Sequence, residues 1–327
     1  MAMLPPLLMR ALAPAGPRAK LSIFIFHRVL PEPDRHLPWD PDVVQFDWMI
    51  GLIASIFNLL PLSEAVRRLA AGSLPAAAAA ITFDDGYADN LSVATPILKR
   101  HGVTATFFIA TGFLDGGRMW NDDVIEAFRR APQGILNLDE YNLGNHEIMD
   151  PTSRVKAYSA VLGRIKYFDH DCRAGVARAI ARSCGLEPTP DLMLTSAQVK
   201  ALRAQQMEIG AHTHSHPILE LMPDARAEEE MREGRQRLES LLGEAIDLFA
   251  YPNGSPGKDF SLRHAQMARR QGFTAAVSTS AGAANQRTDV FQLPRFTPWD
   301  RTPLRFALRC ALNLSLPRSD VDLLPIS

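Results

Sequence analysis

Short apolar runs rich in β-branched and aromatic residues alternate along this chain with segments of helical apolar spacing. The first run, Leu21–Phe26, reads LSIFIF, which is typical of a strand buried on both faces. The same criterion predicts six more strands, at Ala76–Phe83, Ala105–Ala110, Met207–Ala211, Ile246–Ala250, Phe273–Ser278 and Val290–Leu293. Helices are predicted in the intervening and final segments, at Phe46–Phe57, Leu62–Ala71, Asn90–His101, Ser196–Gln205, Asp224–Leu242, Ser261–Gln271 and Thr302–Leu312. We therefore predict an α/β fold, a distorted, seven-stranded (β/α) barrel.

One long segment interrupts this alternation. Residues 113–195 contain helical patches but no convincing buried strand; the patches are Asp122–Arg130, Arg154–Phe168 and Arg173–Cys184. We predict that 113–195 is a helical insertion in a barrel spanning 21–327, and that 1–20 is an N-terminal extension.

The composition excludes several classes of protein. Hydrophobic residues make up 46% of the chain and charged residues 22%, which is ordinary for a protein with a sizeable core. The net charge of -1 predicts no attraction to nucleic acid. The three cysteines lack metal-site spacing. Prolines interrupt the apolar patches of the first 20 residues, so a signal peptide is not predicted. We expect a cytoplasmic protein with no integral membrane segment.

Candidate chemistry follows directly after the predicted strands, where the loops of a parallel barrel form the active face. Asp84 and Asp85 place two carboxylates side by side, and their mutual repulsion favours a compensating cation. His212 and His216 offer two imidazoles four residues apart. Each feature alone has a simpler explanation: the aspartates could form a turn, and the histidines could be ordinary surface or core residues. Together, two histidines and one carboxylate form a set that binds zinc or another divalent ion and leaves positions open for water and substrate.

These residues resemble the polysaccharide deacetylases, carbohydrate esterase family four, also called the nodulation-deacetylase homology family. The resemblance rests on Thr82–Gly86 (TFDDG) and on His212–His216, of the form His-Ser/Thr-x-x-His. It implies that Asp85, His212 and His216 hold one divalent metal, zinc or alternatively cobalt or nickel, and that Asp84 is the catalytic base. The implied reaction removes N-acetyl groups from an N-acetylglucosamine-containing poly- or oligosaccharide and releases acetate.

Two motifs of that family are altered here. The usual Arg-x-Pro-Tyr reads Ala250-Tyr251-Pro252-Asn253, so the arginine that steadies the base is missing, while the backbone N–H of Asn253 is expected to stabilise the oxyanion. The late Leu-x-His reads Leu293-Pro294-Arg295. A subgroup acting on poly-N-acetylglucosamine has permuted motifs, in which a histidine after the first strand acts as the general acid, and Phe26-His27-Arg28-Val29 resembles that element. His27 is therefore the predicted proton donor, and Arg295 the candidate partner of Asp84.

Further substrate contacts are predicted at Trp120, Tyr251, Arg295 and Trp299, against the alternative that each tryptophan only packs in the core. Two charged helices have plainer interpretations. Asp224–Leu242, with Glu228, Glu229 and Glu230, is interpreted as a solvated face. The leucines and arginines of the last helix fit a barrel-covering helix better than a membrane contact.

Two other functions stay open on this evidence. The first is deacetylation or amide hydrolysis of a non-polymeric cytoplasmic substrate, for which a lipid-linked or oligomeric saccharide is one form. The second is a catalytically silent carbohydrate-binding relative, which the two altered motifs suggest. The retained aspartates and histidines argue against the silent relative.

Overall fold

The computed structural model describes residues 4–185, 192–297 and 300–315. The predicted α/β fold is confirmed: a curled parallel sheet is wrapped by helices. The strands are β1 (Leu21–Phe26), β2 (Asn58–Leu59), β3 (Ala78–Phe83), β4 (Thr106–Ile109), β5 (Ile135–Asn137), β6 (Asn145–Glu147), β7 (Glu208–Ala211), β8 (Leu248–Ala250) and β9 (Ala275–Val277). The helices are α1 (Leu4–Leu12), α2 (Val43–Ile56), α3 (Leu62–Ala70), α4 (Thr95–Arg100), α5 (Trp120–Arg130), α6 (Pro151–Ile165), α7 (His170–Ser183), α8 (Ser196–Ala204), α9 (Asp224–Leu242), α10 (Leu262–Arg270) and α11 (Pro303–Ser315).

The main sheet runs in the order β1-β3-β4-β7-β8-β9, and all of its pairings are parallel. The short β2 pairs with the beginning of β3. The predicted last strand at Val290–Leu293 is wrong in detail, because that segment pairs only through isolated parallel bridges. Leu293 bridges to Val277 of β9 and Phe296 bridges to Phe24 of β1. Residues 293–296 thus link the two edges of the sheet into a distorted barrel.

Side chains alternate between two apolar layers, as the period of a strand requires. Phe24, Phe83 and Phe107 belong to the larger cluster, which also contains the apolar residues of α2 and α9. Ile23, Ala80, Phe108 and Val277, together with α3, form the second cluster. By this alternation Asp84, two residues beyond Thr82, has the same orientation as Ala80, on the side of the second cluster.

The segment between β4 and α8 holds α5, the antiparallel β5–β6 hairpin, α6 and α7. These elements share an apolar cluster of their own, with Phe128, Val161 and Ile180 fully buried. The helices lie where helical patches were predicted, and the hairpin, whose residues are half-buried or exposed, was not predicted. Among the described helices none is long and apolar enough to cross a bilayer.

Candidate metal centre

The ends of β3 and β7 bring the Asp85 side chain together with two histidines that follow it by more than a hundred residues. Asp85 Oδ1 lies 3.4 Å from the Nε2 atom of His212 and 3.4 Å from that of His216. One donor atom from each of the three residues falls within 4.8 Å of the others. The set predicted from the two motifs is therefore assembled at one edge of the barrel.

The hydrogen bonds and protonation states of these three side chains suit cation binding. His212 Nδ1 is 2.7 Å from the carbonyl oxygen of Ala250, so it carries the proton and leaves the Nε2 lone pair facing Asp85. Asp85 Oδ1 is buried and accepts no hydrogen bond within the described residues. Burial lowers the pKa of His216 to about 3, which keeps this imidazole neutral as a ligand must be. A buried carboxylate oxygen without a donor beside two imidazole nitrogens fits a divalent metal ion.

Asp84, the neighbour of the candidate ligand, is held by an arginine. Arg295 donates from its two terminal nitrogens to Asp84 Oδ1 and Oδ2, at 2.6 and 2.7 Å. Its Nε donates to the carbonyl oxygen of Ser278 at 2.9 Å, and Thr82 Oγ1 is a further partner at 3.2 Å. Burial alone would raise the pKa of Asp84, but the guanidinium of Arg295 outweighs it and holds the pKa below its usual value. Asp84 is thus an ionised carboxylate, 3.9 Å from His212 Nε2.

The loop that carries both histidines is fixed by Glu230 of α9. The Glu230 carboxylate accepts from the backbone N–H groups of His214 (3.0 Å) and Ser215 (2.7 Å) and from Ser215 Oγ (2.6 Å). The loop needs this support because Thr213 and His216 adopt left-handed backbone conformations, with φ of 62° and 54°. The solvated-face interpretation is therefore wrong for Glu230, which is 6% exposed.

Helix α9 also comes unusually close to this loop. A side chain at Gly234 would place its Cβ 2.6 Å from the Thr213 carbonyl, so only glycine fits there. Glu230 lies on the same face of α9 as Gly234 and as the buried Ala227 and Met231. That helical periodicity is the signal by which Glu230 could have been found in the sequence.

Replacing Glu230 with glutamine is expected to weaken divalent-metal affinity by about 10- to 100-fold, the usual range for residues that orient metal ligands. The amide keeps one acceptor oxygen but loses the charge that holds three donors. Isothermal titration with Zn²⁺ measures this effect. Glu229→Gln is the matched control, since Glu229 is half-exposed and forms its ion pair with Arg232. Equal affinities for the two variants would contradict the role of Glu230.

The remaining predicted site residues are placed as follows. His27 follows β1 at the same edge of the barrel, and its imidazole is exposed. Burial alone would raise the pKa of Asp85, but the neighbouring imidazoles outweigh it and hold that pKa below its usual value. Asn253 is half-buried in a left-handed conformation, with φ of 60°. Its carbonyl accepts from Thr279 Oγ1, and its N–H donates to no atom of the described residues.

Three predicted substrate contacts need comment. Tyr251 is fully buried, stacks on Phe260 and donates its hydroxyl to the Phe291 carbonyl, so its predicted contact with substrate is wrong. Trp120 begins α5, and the guanidinium of Arg173 lies 4.8 Å from the centre of its ring. Arg173 in turn donates to the His216 carbonyl at 3.4 Å, which brings Trp120 near the metal centre through one intermediary. Trp299 lies outside the described residues.

Comparison with known protein families identifies the family of this chain. The model of the polysaccharide deacetylase family matches residues 71–149 and 151–276, and the chain belongs to that family. No curated protein matched the sequence. Both metal motifs, at 82–86 and 212–216, lie inside the matched residues.

Solved structures agree with this fold. The deacetylase PplD of Streptococcus pyogenes, solved with acetate, has a TM-score of 0.60 and 19% identity, and the match covers 90% of this chain and 98% of that one. IcaB from Ammonifex degensii has a TM-score of 0.59 and 18% identity, covering 91% and 98%. The BpsB deacetylase domain from Bordetella bronchiseptica has a TM-score of 0.52 and 16% identity, covering 85% and 95%. At identities this low, these matches show a shared fold and nothing more.

Proposed function

We propose that this chain is a metal-dependent deacetylase that removes N-acetyl groups from N-acetylglucosamine-containing poly- or oligosaccharides. The proposal depends on two groups of side chains that lie side by side at one edge of the barrel. A buried carboxylate and two imidazoles face each other, and next to them stands a second, ionised carboxylate held by Arg295. Hydrolysis of an amide requires both a Lewis acid and a base, and these two groups supply them.

Asp85, His212 and His216 would hold the divalent ion. When bound, such an ion polarises the acetyl carbonyl and makes a water molecule more acidic. Asp84 takes the proton from the attacking water, and the two hydrogen bonds from Arg295 keep its carboxylate ionised and oriented. The N–H of Asn253, which has no acceptor among the described residues, donates to the developing oxyanion. His27, exposed at the end of β1, protonates the departing amine.

Two observations support the sugar substrate. The chain belongs to the polysaccharide deacetylase family, and PplD and the BpsB domain are deacetylases of the same fold. The Phe26–Val29 segment also resembles the permuted motif of the enzymes that act on poly-N-acetylglucosamine. The structure also supplies the arginine that the altered third motif lacks. Arg295 reaches Asp84 from a position 211 residues later in the chain. The altered motif is thus compatible with a working base, which favours an active enzyme over a silent relative.

Acetate release by metal-stripped and metal-reloaded protein tests this function. The chain is treated with EDTA and reloaded with Zn²⁺, Co²⁺ or Ni²⁺. It is then assayed on chitooligosaccharides, on β-1,6-linked N-acetylglucosamine oligomers and on an N-acetyl amino acid amide. We expect release from the sugars only after reloading, and more from the β-1,6-linked oligomers. Release from the simple amide alone would replace the sugar with a small amide substrate. Stoichiometric metal binding with no release from any of them would identify a silent relative.

A further inference from the structure

Helix α11 has two apolar faces. Phe306, Ala307, Cys310, Ala311 and Leu314 point inward and are buried, as expected of a helix that covers the barrel. The outward face carries Leu304, Leu308 and Leu312, one turn apart, which are 66%, 52% and 63% exposed. A surface helix normally keeps its outward face polar. The leucine stripe is therefore not explained by packing within the described part of the chain.

The N-terminal helix continues this surface. Helix α1 packs against α11, and both helices pack against α2. Leu7 and Leu8 of α1 are exposed, while Met9 and Ala13 are buried. Because the two helices lie side by side on the same support, their outward residues form one surface. We call it the α1–α11 face, made of Leu7, Leu8, Leu304, Leu308 and Leu312.

The two helices that form the α1–α11 face are basic. Helices α1 and α11 hold three arginines and no aspartate or glutamate, although the whole chain has a net charge of -1. Arg10 and Arg305 are exposed beside the leucines, and neither forms an ion pair with another described residue. Arg309 is paired with Asp300. An apolar stripe bordered by arginines without an ion pair among the described residues is complementary to a layer of anionic headgroups over acyl chains.

The α1–α11 face also reaches toward the active edge of the barrel. Arg309 and Leu312 line a cavity of about 530 Å³ together with Thr279 and Arg295. Thr279 donates to the Asn253 carbonyl, and Arg295 holds Asp84. A surface that touches the α1–α11 face would therefore lie close to the residues proposed for catalysis.

We propose that the α1–α11 face docks the protein on the surface of an anionic membrane. The leucines insert among the acyl chains at the headgroup boundary, while Arg10 and Arg305 contact lipid phosphates. This is attachment parallel to the membrane plane, as expected of a surface helix with an exposed apolar stripe and basic neighbours. The orientation presents the site to saccharides held at a membrane. The docking itself does not depend on the proposed deacetylase activity.

Vesicle co-sedimentation of the full chain tests the proposal. Wild type is incubated with vesicles of pure phosphatidylcholine or of phosphatidylcholine with 30% phosphatidylglycerol. We expect binding to the anionic vesicles, weakened by added salt, and much less binding to the neutral ones. The variant Leu304→Gln/Leu308→Gln/Leu312→Gln keeps helix-forming residues on an exposed face and is expected to lose at least about tenfold in binding. Arg10→Gln/Arg305→Gln is expected to lose only the preference for anionic vesicles.

Ile135→Gln is the matched control, because Ile135 is 75% exposed on β5, outside the α1–α11 face. It should bind vesicles like wild type. Circular dichroism and thermal melting verify that the triple variant is folded. Failure of folded wild type to bind anionic vesicles would overturn the proposal, as would equal binding by the triple variant. A dimer that light scattering detects, and that the triple variant abolishes without any vesicle binding, would assign the face to a second copy and also overturn it.

Discussion

Replacing His212 with alanine is expected to remove the bound metal and to lower acetate release by at least about a hundredfold. His212 is the candidate ligand whose tautomer is fixed, because the Ala250 carbonyl accepts a hydrogen bond from its Nδ1. Its free Nε2 atom faces Asp85. Without it, only one imidazole and one carboxylate remain. Metal content per chain, measured by plasma mass spectrometry, should fall from near one to near zero.

A second readout separates metal loss from general damage. A ligand that binds only the folded state raises the melting temperature, so Zn²⁺ should stabilise the wild type and leave His212→Ala unchanged. His214→Ala is the matched control, because His214 lies in the same loop but contacts Thr111 and Glu233 instead of Asp85. It should keep both its metal and its thermal shift. A His212→Ala protein with a full metal complement would refute the three-residue site.

The location of the site was readable from the sequence because two local signals combine with one rule of topology. Apolar runs such as Leu21–Phe26 and Ala78–Phe83 identify parallel strands, and the carboxyl ends of parallel strands share one edge of a sheet. Asp85 and His212 both follow such runs directly. Their convergence needed no knowledge of side-chain packing.

Tyr251 and Glu230 were misjudged although local periodicity carried the information. Alternation along β8 puts Tyr251 on the same side as Phe249, in the larger apolar cluster, and so away from the site. Glu230 shares its helical face with Ala227 and Met231, but its acidic neighbours suggested a solvated surface. In both cases the composition of the segment was given more weight than its period.

The ion pair between Arg295 and Asp84 could not be derived from local sequence patterns. It depends on how residues 293–296 close the barrel between β9 and β1, and two isolated bridges set that register instead of a regular strand. The sequence placed Arg295 after the last predicted strand and made it the candidate partner of Asp84, but it could not show the contact itself. Its two hydrogen bonds to Asp84 are a tertiary result.

Replacing Asp84 with asparagine is expected to reduce acetate release by about 10²- to 10⁴-fold while metal binding persists, because the three ligands stay in place. The substitution also leaves the guanidinium of Arg295 buried without its counter-charge, which costs about 3–5 kcal/mol of folding stability. A lower melting temperature should therefore accompany the loss of activity in the single variant.

The double variant Asp84→Asn/Arg295→Gln distinguishes these two effects. It replaces the buried ion pair with a neutral, hydrogen-bonding pair, so much of the lost stability should return. Activity should not return, because no carboxylate is left to take the proton from water. Acetate release, metal content and melting temperature, measured on wild type and both variants, complete the test. If the double variant regained activity together with stability, Asp84 would hold the fold and some other group would be the base.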